Sequence, residues 1–258
     1  MALGKASAVV IGSFPLGESD RIVTFFSREY GKLRGVAKAA RRLTSRFGGA
    51  LELLTLGQLV FFDSGRSELV RIDHFDVVRP FARVREQLTS LGQAAWMVEC
   101  VGRLTAERDP NPAVYGLLVR ALRSVEAGAP PHRVAVVFGV RCIDALGHRL
   151  RTDACVVCGR RRPPEHGSVA VDIDAGGVLC AACAATGGEC LRLDPASVAA
   201  LRRLRTAAWA EATATSLGHA GRQLRELLDH QVTLIIGQPP RTSRFVREIE
   251  RFSPSPRT

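Results

Sequence analysis

A chain of 258 residues with 46% hydrophobic content is long enough to bury more than one core, so it is a folded protein and not a charged tail. Its 36 basic residues against 25 acidic ones leave a formal charge of +11, which points to nucleic acid or an anionic membrane surface as partner and says nothing about fold. No run approaches the roughly 20 apolar residues that span a bilayer, and neither G-x-x-x-x-G-K-[ST] nor G-x-G-x-x-G occurs, so membrane passage, nucleotide hydrolysis and dinucleotide binding are not expected.

Up to about residue 80 the chain reads as short β-rich runs: "ASAVVIGS", "RIVTFFS", "KLRGVAKA", "LELLTLGQLVFF" and "ELVRIDHFDVV". The apolar stretch Ala6 to Ile11 is too short for a secretory signal and ends at Gly12-Ser13, so a cytoplasmic compartment is expected. Tyr30-Gly31 separates the second and third runs and "DSGRS" at 63 to 67 the fourth and fifth, which makes adjacent antiparallel pairing the economical topology. Five strands in this length favour an OB-like barrel over an SH3-like one. "GESD" at 17 to 20 places Glu18 and Asp20 in a turn beside the barrel, suited to capping or a salt bridge.

Within this region, "KLRGVAKAARRLTSR" carries Lys32, Arg34, Lys38, Arg41, Arg42 and Arg46 with no carboxylate between them; the nearest acids are Glu29 and Glu52. Two readings fit: a solvated face, or a polyanion site in which arginine forks and lysine charges meet phosphate oxygens and release condensed counterions. Phe14, Tyr30 and Phe47 are the nearby candidates for base stacking, and each suits the core as well.

After Arg79-Pro80 the period becomes helical. Val114, Leu117, Leu118, Ala121, Leu122 and Val125 follow the i, i+3, i+4, i+7 rule behind an Asn111-Pro112 start. Less regular helices are expected over about 83 to 106 (Leu88, Leu91, Val98, Val101) and 131 to 147. Another opens at Asp194-Pro195 with Val198, Leu201 and Leu204, and a last one covers about 219 to 236 with Leu224, Leu227 and Leu228. Cys100 and Cys142 read as small buried hydrophobes, and the terminal "SPSPRT" as disordered.

Seven cysteines without an export signal favour metal binding or burial over a disulfide framework. Two Cys-x-x-Cys pairs, Cys155/Cys158 and Cys180/Cys183, stand 21 residues apart, close to zinc-ribbon spacing. Four thiolates make a closed tetrahedral site, so one structural zinc would hold the fold and do no chemistry. Gly159 and Gly176-Gly177 permit the tight turns such a site needs. The competing redox reading wants one motif at a helix start beside a βαβ pattern, which is missing. Cys190, His148 and His166 are substitute ligands, and Arg160, Arg161 and Arg162 are either a second phosphate contact or a solvated loop. Asp172 and Asp174 form a carboxylate pair with no third acid or histidine arranged nearby, which disfavours a two-metal nuclease site; no catalytic residue is assigned, and an enzyme is not expected.

Taken in order, "GESDRIVTFFSREYGKLRGVAKAARR" (17 to 42), "SRFGGALELLTLGQL" (45 to 59), "LGHRLRTDACVVCG" (146 to 159), "GGVLCAAC" (176 to 183) and "TSRFV" (242 to 246) resemble the RecO family of bacterial recombination mediators. The resemblance implies an α+β multidomain chain: an OB-fold DNA-binding domain over 1 to 80, a central helical domain over 81 to 150, a zinc-binding insert over 151 to 192, and C-terminal helices over 193 to 258 that pack back on the central ones. It implies a role in the RecF pathway: binding single- and double-stranded DNA, annealing complementary strands, and helping RecA load on DNA coated by single-stranded-DNA-binding protein (SSB). RecR and the acidic SSB tail are the implied partners, the tail on the helical region with Arg202, Arg203 and Arg205 as candidate cations, and the bacterial nucleoid is the implied place of work. On such a barrel "KLRGVAKA" is a strand and "ARRLTSR" the following loop, so the six cations would line a groove that tracks a nucleic-acid backbone. Ala39 departs from the glycine usual in the family after the lysine, here Lys38. A zinc-ribbon RNA-binding or transcription accessory factor fits the barrel, ribbon and charge as an alternative.

Overall fold

The computed structural model describes residues 2–161, 167–188 and 190–252; Arg162, His166 and the "SPSPRT" stretch lie outside the described residues. The chain forms two compact units, one through Ala127 and one from Gly128 on.

In the first unit, β1 (Ala2–Leu16), β2 (Asp20–Ser27), β3 (Gly31–Ala37), β4 (Leu56–Asp63) and β5 (Leu69–Arg79) close a barrel in the order β1-β2-β3-β5-β4, with β4 paired back to β1 from Ala2↔Asp63 to Val9↔Leu56. Period-two alternation drives it. Leu33, Gly35 and Ala37 of β3 point inward while Lys32, Arg34 and Val36 point outward, and Val10, Val23, Phe25, Leu59, Phe61, Ile72 and Phe75 fill the interior.

Adjacent pairing holds for β1–β2, β2–β3 and β4–β5 and fails between β3 and β4. There β5 inserts, parallel to β3 over Arg34 to Val36. The reason lies in residues 38–55: the apolar stretch that resembles the start of a strand instead plugs the barrel, with Phe47, Leu51 and Leu54 almost wholly buried, so β4 begins only at Leu56. A connection of that length crosses the barrel end and carries the chain past the hairpin position.

Helices α1 (Ala82–Glu86), α2 (Leu88–Leu104) and α3 (Pro112–Glu126) complete this unit. The single helix expected over 83 to 106 is broken at Gln87, whose backbone is extended (φ −113°, ψ 124°). α3 starts where the sequence places it: the Asn111 side chain accepts from the Val114 amide at 3.0 Å ahead of Pro112. Tyr115 shares a 2.8 Å hydrogen bond with the Ser7 hydroxyl, and Arg85 donates to the Leu53 carbonyl at 3.1 Å and the Thr55 hydroxyl at 2.8 Å, so the helices are bonded to the barrel they follow.

The second unit opens with α4 (Pro131–Ala145). A small sheet of β6 (Val169–Asp172), β7 (Gly177–Val178) and, after α5 (Ala181–Thr186), β8 (Leu191–Leu193) follows in the order β7-β6-β8. Then come α6 (Pro195–Thr206), α7 (Trp209–Ala214), α8 (Gly218–Ile236) and α9 (Arg241–Phe252). α6, α7 and α8 pack on α4. Arg141 of α4 donates to the Leu204 and Ala207 carbonyls at the end of α6, where a helix leaves its acceptors unpaired. Arg205 pairs with Asp144 at 2.8 Å, and Arg202 donates to both the hydroxyl and the carbonyl of Thr152. Cys100 and Cys142 are buried as expected, and burial pushes the Cys142 thiol up to about 12, leaving it inert. Among the described residues no helix is long and apolar enough to cross a membrane.

Candidate nucleic-acid interface and metal centre

Strand alternation turns both Lys32 and Arg34 outward, yet their surroundings differ. The Lys32 ammonium donates to the Gly102 and Thr105 carbonyls at the end of α2, each at 2.8 Å, lies 3.5 Å from Glu107, and is 13% exposed. It is a strut between barrel and helix. Lys32→Ala is therefore expected to destabilise the first unit by about 1–3 kcal/mol, since it strips a charged donor from two helix-end carbonyls; an unchanged urea midpoint would count against this role.

The other five cations of the run, Arg34, Lys38, Arg41, Arg42 and Arg46, are exposed. Neither neighbouring acid pairs with them: Glu52 takes Arg21 at 3.3 Å and Glu29 accepts from the Ser7 amide at 2.9 Å. The loop is nevertheless ordered by hydrogen bonds to the β1–β2 turn. The Arg41 amide donates to the Ser19 carbonyl and its guanidinium to the Gly17 carbonyl, both at 2.9 Å. Asp20 accepts from the Ala39 amide at 2.8 Å, the capping role expected of it. That amide holds the Asp20 carboxyl below its ordinary range against the opposing effect of burial, with help from the Ser19 hydroxyl, Lys38 and Arg42.

Ala39 sits in the left-handed region at φ 55°, which glycine adopts freely and which costs an L-residue about 1–2 kcal/mol. Ala39→Gly is expected to gain up to about 1 kcal/mol once the freedom glycine adds to the unfolded chain is subtracted. A melting temperature raised by about 2 °C is the expected readout, and a lowered one would contradict it.

Of the three stacking candidates, Phe47 is buried in the barrel plug beneath Arg46, whose guanidinium lies 5.1 Å from the ring centre. Tyr30 meets Phe61 edge-on at 5.3 Å. Phe14 alone is largely exposed, at 62%. Arg71 of β5, aligned with Val36, joins the same outer surface from outside the basic run, and only the pairing of β5 with β3 reveals it.

In the second unit the four cysteines Cys155, Cys158, Cys180 and Cys183 converge, with all sulfurs within 4.8 Å of one another. The first pair lies in a turn closed by the Gly159 amide on the Cys155 carbonyl and by the Cys155 amide on the Arg160 carbonyl, both at 2.9 Å. Cys180 caps α5 and Cys183 sits in its first turn. Gly177 of β7 lets the segment at Arg151 come alongside, because a Cβ there would collide with the Arg151 carbonyl oxygen. Cys158 and Cys180 sulfurs are 3.7 Å apart, against about 3.8 Å for tetrahedral thiolates each about 2.3 Å from a zinc ion.

Backbone amides of Cys158 and Cys180 pull the Cys155 thiol down to about 6, and Cys180 is lowered chiefly by the Cys183 amide. Cys183 is pushed up to about 12 by the neighbouring Cys180 and Cys158 sulfurs. Four thiolates this close repel unless a cation sits among them, so the donor set fits a metal ion. Convergence into one cluster also sets it apart from two separate redox pairs. Cys190 packs against the insert core without joining the four sulfurs. The His148 carbonyl accepts from Gln231, and its ring is not part of the cluster. Asp172 accepts from the Ala175 amide at 2.9 Å and shapes the turn that carries Asp174. Arg160 and Arg161 are exposed beside the first pair.

Residues 1–81 match the family model described as recombination protein O N terminal, and residues 85–244 the one described as recombination protein O C terminal. A DNA repair protein RecO of Anaeromyxobacter dehalogenans is 35% identical over 250 residues, covering 96% of this chain and 98% of the relative. One of Geobacter sulfurreducens is 32% identical over 249 residues, covering 95% and 98%. One of Listeria monocytogenes is 28% identical over 179 residues, covering 69% and 68%. Two family models that together span barrel, insert and helices place this chain in the recombination protein O family.

Proposed function

We propose that this chain is a DNA-repair and recombination mediator that binds DNA through the basic face of its barrel. The observation that carries this reading is the set of five exposed cations, Arg34, Lys38, Arg41, Arg42 and Arg46, on β3 and the loop after it, which form no direct ion pair among the described residues, Asp20 being the one acid whose carboxyl Lys38 and Arg42 influence. Phosphate oxygens of either single or double strands suit such a face, and weak base readout suits sequence-independent annealing. Family membership supports the finer roles: the RecF pathway, cooperation with RecR, loading of RecA on SSB-coated strands, and capture of the acidic SSB tail by the helical region of a bacterial cytoplasmic protein. Arg205 pairs with Asp144 inside the second unit and Arg202, though exposed, donates to Thr152, so Arg203 is the exposed cation of α6 left for such a tail among the described residues.

The four-cysteine cluster takes one zinc ion in this reading, through Cys155, Cys158, Cys180 and Cys183, and the ion supplies cross-linking and no chemistry. The test is annealing of complementary strands coated with intact SSB or with SSB lacking its acidic tail. Faster annealing with the intact protein, little with the truncated one, and preference for DNA over RNA of equal length are expected. Equal rates on both would sink the tail contact, and preference for RNA would favour an RNA-binding accessory factor.

A further inference from the structure

Two rows of residues cross the outer surface of the barrel at the end that carries the basic loop. Pairing sets Phe14 of β1 opposite Ile22 of β2, Ile22 opposite Val36 of β3, and Val36 beside Arg71 of β5. The next row runs Gly12, Thr24, Arg34, Leu69. Paired residues share a face, so both rows look outward together. At the opposite end of the same strands this surface is covered: Phe26 packs against Tyr115 and Lys32 is held by the end of α2. Here it is open, with Phe14 62% exposed and Ile22, Thr24 and Val36 partly so.

Phe14 lies down on this surface. Gly12 presents no side chain, and a Cβ built there would stand 3.8 Å from Cε2 of Phe14 and 3.6 Å from Cβ of Thr24, so the ring rests along its own strand beside Thr24. A single exposed apolar residue needs no explanation. An exposed ring leading an apolar row, with Arg34 and Arg71 in the two rows and Lys38, Arg41 and Arg42 on a loop bonded to the turn at the end of β1, has the layout that single strands require: cations for the phosphates and an apolar face for the bases. A duplex hides the faces of its bases and cannot use the ring.

We propose that Phe14, seated at the head of the Ile22–Val36 row, is a base-stacking platform that gives the barrel its preference for single-stranded over duplex nucleic acid. This rests on the basic face being the phosphate site. The test measures binding of the full chain to a labelled oligothymidylate of about 20 nucleotides and to a duplex of the same length, over a range of salt. Phe14→Ala is expected to weaken single-strand binding about tenfold, the equivalent of one stacked base, with duplex affinity and salt slope unchanged. Phe14→Trp is expected to keep the single-strand affinity. Phe14→Leu retains packing on Gly12 and Thr24 while losing the aromatic face, so it matches Phe14→Ala even if truncation loosens β1. Wild-type single-strand affinity in both the Ala and Leu variants, or equal losses on single strands and duplex, overturns the platform and leaves the phosphate site standing. Wild-type protein that binds neither nucleic acid overturns both.

Discussion

Cys155→Ser is expected to abolish metal binding and unfold the insert between α4 and α6, while the barrel unit, which has its own core, stays folded. The strands of the insert have four, two and three residues, too short to be stable alone, and the apolar cluster built around its sulfurs is small: Cys155, Ala170, Leu179 and Cys180 with partly buried neighbours. A structural zinc contributes roughly 10–16 kcal/mol of apparent free energy in finger peptides at neutral pH, as much as the whole stability of an ordinary domain, about 5–15 kcal/mol. Purified wild-type protein is expected to carry one zinc per chain by elemental analysis. The variant should carry none and be cut by protease within 151–192. Full zinc content with Cys155→Ser, or a zinc-free wild type that melts normally, would refute the assignment.

Replacing Lys38, Arg41 and Arg42 together by alanine is expected to have the larger effect on function. Each lost phosphate contact flattens the single-strand salt slope by about 0.7, so three flatten it by about 2 and weaken binding roughly 30-fold at 200 mM salt and on the order of 500-fold at 50 mM. Annealing should slow accordingly. Stability should change little, because these side chains are exposed and Asp20 keeps its hydrogen bond from the Ala39 backbone amide. A folded triple variant with wild-type affinity and slope would make the run a solvated face and direct attention to Arg160 and Arg161.

Local signals in the sequence were enough for several of these elements. Alternation in "KLRGVA", the Asn111-Pro112 start and the Cys-x-x-Cys spacing each depend on neighbours a few residues away, and each appears where the pattern places it. Barrel closure does not: β5 lies beside β3 because residues 47–54 fold into the barrel end, and their apolar character is compatible with strand and plug alike. Lys32 and Arg34 are equivalent in the alternation, and only the end of α2, some 70 positions on, separates a strut from an exposed cation. Phe14, Tyr30 and Phe47 are sorted by the same kind of distant packing. Helix α7 is only six residues long, too short to show a period, whereas α9 carries Phe245, Val246, Ile249 and Phe252 at helical spacing, a local signal beyond the last helix expected over 219 to 236.

The central claim is that five cations of the barrel face hold nucleic-acid phosphates. Its most direct test is the affinity of the wild-type chain for an unstructured single strand, measured from 50 to 200 mM salt. Five contacts predict a slope of log K against log salt of roughly −3.5, a loss on the order of a hundredfold across that range. A slope near zero, or no binding at the lowest salt, would contradict it.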